Sequence, residues 1–106
     1  MIDWPHVRKL QQDVGADDFS EIVALYFSEV EDAFDRIREK GLTATDMHLL
    51  KGSAANMGFV AFSKACQIAE HALQNAGVEC DIDAVTDSYN DSVKDFLNGL
   101  EQEAST

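Results

Sequence analysis

From Phe19 to Ile37 the apolar residues Phe19, Ile22, Val23, Tyr26, Phe27, Val30, Phe34 and Ile37 recur at intervals of three and four. At about 100° per residue that spacing lays them along one face of a long helix. No proline or glycine interrupts the run. A helix with one continuous apolar face must bury it against other elements, so the rest of the chain has to supply a cover. Asp18 with Glu21 reads as a capping pair at the start, and Lys40-Gly41 as a cationic last turn with a terminal glycine.

The cover reads as helical too. A short segment from Pro5 to Val14 offers Val7 and Leu10, with Pro5 suited to a first turn. A helix capped by Thr43, with Asp46 three residues on, runs to about Asn56 before Gly58. Another runs from Val60 to Ala76 with Phe62, Ala65, Ala69, Leu73 and Ala76 inward, and stops at Gly77. The last carries Ile82, Val85, Tyr89, Val93, Phe96 and Leu100 in register. No segment shows the alternation of a strand, and no repeat or linker divides the chain. Short connections make neighbouring helices antiparallel. The expectation is all-α: an antiparallel up-and-down four-helix bundle with a short additional N-terminal helix, as one domain over residues 1–106.

Charge narrows the function. Twenty Asp and Glu face eight Lys and Arg, a formal net charge of -12, and a chain so acidic is repelled by phosphate backbones and anionic lipid. Much of the acid sits late, at Glu79, Asp81, Asp83, Asp87, Asp91, Asp95, Glu101 and Glu103, and reads as a solvated face. No apolar run reaches the roughly 20 residues of a membrane span and the start is unlike a signal peptide, so the expected location is cytoplasmic. Cys66 reads as a small buried hydrophobe, and with Cys80 makes no disulfide framework. Metal-site spacings are missing: there is no C-x-x-C or H-x-x-x-H, and Thr45 and Ile68 stand three residues before His48 and His71, where a di-iron bundle needs Glu.

The stretch richest in chemistry is Asp46-Met47-His48-Leu49-Leu50-Lys51-Gly52-Ser53-Ala54-Ala55-Asn56-Met57-Gly58. Helical geometry gathers Met47, Leu50, Ala54 and Met57 on one side and His48, Lys51, Gly52 and Ala55 on the other. His48 is therefore expected at the surface. A glycine inside an exposed helix costs about 1 kcal/mol against alanine, a cost that fits a need for close approach one turn from His48. Imidazole is a nucleophile near neutral pH, and an ammonium three residues on both favours its neutral form and offsets the charge of an incoming phosphoryl group. His6, with no charged apparatus around it, reads as surface or end packing, and His71 as a solvent-facing or helix-paired residue.

The segment from His48 to Gly58, with Ala65, Cys66 and Glu70 downstream and Phe19, Glu21, Ile22 and Phe27 upstream, resembles the histidine-containing phosphotransfer (HPt) domains of multistep phosphorelays. The resemblance implies a four-helix bundle in which His48 accepts a phosphoryl group on Nε2, Lys51 stabilises it and Gly52 clears room for a partner's loop. Two positions depart from the pattern: Met47 stands where a small residue is common, and Leu49 where a hydroxyl often sits. It implies a phosphorelay intermediate without kinase activity, taking phosphate from the aspartate of one receiver domain and passing it to another. The implied partners are response-regulator receiver domains and a hybrid histidine kinase, with the bundle itself a monomer. No cofactor is implied for the bundle, since Mg²⁺ belongs to the receiver. The alternative, a helical adaptor that binds a receiver or kinase without carrying phosphate, would need no nucleophile at His48.

Overall fold

The computed structural model describes residues 1–75 and 82–104. Its helices are α1 (Trp4–Val14), α2 (Ala16–Lys40), α3 (Ala44–Asn56), α4 (Val60–Gln74) and α5 (Ile82–Ala104). Among the described residues the sole β-type pairing is an isolated antiparallel bridge between Ile2 and Phe59. The fold is an all-α bundle of four long helices with a short N-terminal helix packed along the later part of α5, where Trp4 meets Phe96 and Arg8 meets Glu103.

Most helix ends follow local chemistry. Thr43 is extended (φ -122°, ψ 156°), and its Oγ1 accepts from the Asp46 amide at 3.1 Å and donates to Asp46 Oδ2 at 2.8 Å. The amide of Gly41 closes α2 by donating to Ile37 O at 2.8 Å. Asp3 caps α1 by accepting from the His6 amide, and Pro5 occupies the first turn, where its missing donor costs nothing. The start of α2 differs from the sequence reading. The helix begins at Ala16 behind Gly15, with no side-chain cap, so Asp18 is a first-turn residue and Glu21 closes no capping box. Gly15 ends α1 and opens α2 at once, its amide donating to Gln11 O and its carbonyl accepting from the Phe19 amide, which leaves no gap for a side-chain cap. Asp17 and Asp18 then complement the positive end of the helix dipole. The α4 helix is described to Gln74; the expected continuation to Ala76 and Gly77 lies outside the described residues, as does Cys80.

Pairings across the bundle give its directions. Arg36 Nη2 meets Asp46 Oδ1 at 2.9 Å, and Ser63 Oγ donates to Lys51 O at 3.1 Å, so α2, α3 and α4 alternate in direction. Phe34 packs edge-on against Tyr89 (5.6 Å, 71°) and Phe27 against Phe96 (6.2 Å, 90°), which sets α5 antiparallel to α2. Every apolar residue placed inward on α2 and α5 is buried or partly buried, and Phe59, Phe62, Phe96, Met47, Val30 and Cys66 are sealed from solvent. No described helix is long and apolar enough to cross a membrane.

The turn between α3 and α4 is clasped by the start of the chain. The Asp3 amide donates to Gly58 O at 2.8 Å, and a Cβ on Gly58 would approach Asp3 O and Val7 Cγ2 at 3.1 Å each. Gly58 also has φ 76°, so both its backbone and its neighbours call for glycine. Trp4 extends the clasp by stacking parallel on Phe96 (5.9 Å, 6°), and its indole fills the space that a Cβ on Gly99 would occupy. The C-terminal end of the helix that carries His48 is thereby anchored.

Candidate functional site

On α3 the apolar positions Met47, Leu50 and Ala54 face the core, which turns His48 outward with 65% of its side chain exposed. Lys51 lies one turn on, at the boundary with α4, and Gly52 and Ala55 are exposed beside them. The surface placement expected for the histidine and its neighbours is found. Gly52 meets no constraint from its own chain: a Cβ built there has nothing within 4 Å. The glycine is therefore not demanded by the bundle's packing.

The third charged member comes from α4. Glu70 places Oε2 3.0 Å from His48 Nδ1 and Oε1 2.8 Å from Lys51 Nζ, so one carboxylate bridges both. Its side chain is only 12% exposed, against 30% for Lys51. The hydrogen bond from Lys51 holds the Glu70 carboxyl below the usual glutamate range; partial burial opposes that shift, and the His48 contact reinforces it. An ionised carboxylate can only accept, so Nδ1 is the protonated nitrogen of the neutral ring and Nε2 carries the lone pair. Ser63 ties the two helices together one turn away by donating to the Lys51 carbonyl.

The base of α3 is braced as well. Burial pushes the Asp46 carboxyl up, but hydrogen bonds from Arg36 and Thr43 outweigh it, and the net shift is downward. Beside the imidazole lies a shallow depression of about 250 Å³ lined by Ala44, Thr45, Leu49, Glu70 and Gln74. Leu49 continues it as an exposed apolar rim, 61% accessible. Met47 and Met57, in contrast, are core residues.

The remaining histidines are elsewhere. His6 packs at the bundle end, its Nε2 2.7 Å from the carbonyl of Asn56 at the close of α3. His71 is exposed on α4. Among the described residues, no group of three His, Cys, Asp or Glu side chains is placed to hold a metal. In the sequence Glu70 stands out only through the family resemblance. A polar stripe at Ser63, Gln67, Glu70 and Gln74, beside the apolar stripe at Phe62, Cys66, Ala69 and Leu73, was the available signal.

Residues 6–103 match the family model described as the Hpt domain, which takes in α3, α4 and the whole site. No curated protein and no solved structure gives a match. An all-α bundle and a match over nearly its whole length lead to one assignment: the chain belongs to the Hpt domain family, the phosphocarriers of phosphorelays that meet response-regulator receiver domains.

Proposed function

We propose that this chain is a phosphorelay intermediate in which His48 takes a phosphoryl group from the aspartate of one receiver domain and passes it to another. The observation that carries the reading is the Glu70 contact at Nδ1, which leaves Nε2 as the lone-pair nitrogen of an exposed ring. The chemistry is an in-line displacement at phosphorus. Nε2 forms the new N–P bond while the bond to the aspartyl oxygen breaks, and the electron pair leaves on that oxygen. Lys51 offsets the charge of the transferred oxygens, and Gly52 keeps the adjacent helix surface low enough for the receiver's loops.

The partners in this reading are receiver domains, including that of a hybrid histidine kinase. The acidic pocket and Mg²⁺ that phosphoryl transfer requires come from the receiver. Leu49, at the edge of the depression beside His48, forms the apolar part of the docking face. The test is incubation with a ³²P-labelled phosphoreceiver panel. Wild-type protein should acquire acid-labile, base-stable label and His48→Gln should acquire none while keeping its melting temperature. Label on His48→Gln at the wild-type rate would overturn the assignment.

A further inference from the structure

A partner centred on His48 must cover more of the bundle than the ring and its two charged neighbours. A protein–protein interface of ordinary size occupies about 800 Å² on each partner, a disc roughly 16 Å in radius. Ala55 follows His48 by two helical turns, so it lies on the same face of α3, about 10 Å along the axis. Such a footprint reaches past Gly52 to a second depression, of about 380 Å³, at the C-terminal end of α3. Its floor is apolar, made by Ala55, Gly58 and Val60, and Val60 is 42% exposed. Lys64 and Gln67 of α4 add polar groups, as does Asp3, whose carboxylate is engaged in capping α1.

Charge sets Lys64 apart. Arg8, Arg36, Arg38 and Lys51 each meet a carboxylate, whereas the exposed Lys64, among the described residues, meets none. A receiver brings its acidic pocket to His48, and the bundle's net charge of -12 opposes that approach. A free ammonium inside the footprint supplies attraction where the overall field repels. An apolar floor with a cation beside it selects a matching counterpart, an apolar side chain next to a carboxylate. Resting on the reading of His48 as a phosphoacceptor that meets receivers, we propose that Lys64 is a specificity-determining residue. The receivers this chain serves seat an apolar side chain over Ala55 and Val60 and place an Asp or Glu against the Lys64 ammonium.

The test uses full-length protein, with each variant checked for wild-type helical content. The probe is the tightest binder of wild type in a panel of receiver domains held active with beryllofluoride. At low salt Lys64→Glu should weaken binding about three- to thirtyfold, mostly through slower association, and the deficit should shrink at high salt. Ala55→Gln, which fills the depression, should weaken binding at either salt. Lys94→Glu makes the same change of charge on α5, outside the depression, and should stay within about twofold of wild type. One Asp or Glu of the receiver, changed to Lys, should restore binding to Lys64→Glu and weaken it to wild type. Equal losses in Lys64→Glu and Lys94→Glu would assign the effect to net charge alone and overturn the proposal. So would unchanged binding in Lys64→Glu or Ala55→Gln, or a receiver in which no such change restores binding. Binding is read without transfer, so absence of label on His48 overturns the carrier reading and leaves this comparison standing.

Discussion

Replacing Gly52 with Gln should move stability and transfer in opposite directions. Gly52 sits inside α3 with its face open to solvent, and a Cβ there has nothing within 4 Å. The folded state therefore has no steric objection to a side chain. Glycine is the poorer helix former by up to about 1 kcal/mol, and a change of that size shifts the melting temperature of a domain near 100 residues by about 4 °C. Gly52→Gln should accordingly raise the midpoint by roughly 2–4 °C in calorimetry or circular dichroism. Transfer from a phosphoreceiver should nevertheless slow, because the glutamine side chain rises one turn from His48 on the face where Nε2 must meet the aspartyl phosphate. An unaltered transfer rate would refute the steric role of Gly52. A fall in melting temperature would refute the claim that the bundle itself has no use for glycine here.

Two further outcomes follow from packing and charge. Gly99→Ala should destabilise by about 1–3 kcal/mol despite alanine's better helix propensity, since the added methyl overlaps the Trp4 indole; a shifted Trp4 emission maximum should accompany the loss, and a stabilised variant would show that Trp4 has room to move. Asp46 has its folded pKa lowered below the ordinary 3.8, so the unfolded chain binds more protons and the stabilisation is full above that value and lost as pH falls through the lowered one. Asp46→Asn should thus melt below wild type at pH 7, and the gap should close once the pH drops well under 3.8; a gap independent of pH would assign the effect to shape instead of charge.

Much of the bundle was legible because its signals are local. The stripe from Phe19 to Ile37 declares its inward face by period alone, and Thr43 with Asp46 marks a helix start within four residues. His48 was placed outward by the same arithmetic, since Met47, Leu50 and Ala54 could not face inward otherwise. The start of α2 is hidden in the sequence because Asp18 and Glu21 satisfy a capping pattern, while the deciding event is the immediate turn at Gly15, which also finishes α1. Glu70 and Gly99 were opaque for a different reason. Each acquires its role from a residue on another helix, His48 and Lys51 in one case and Trp4 in the other, and the register between helices is set by the packed core. Sequence spacing within one helix carries no record of that register.

The central claim is that phosphate resides on Nε2 of His48. The direct measurement is ¹⁵N–³¹P correlation on protein phosphorylated by a receiver domain, with histidine ring nitrogens labelled and assigned. The account predicts a single N–P bond, at Nε2 of His48, while His6 and His71 stay unmodified. A bond at Nδ1 of His48, or phosphate at either of the other histidines, would contradict it.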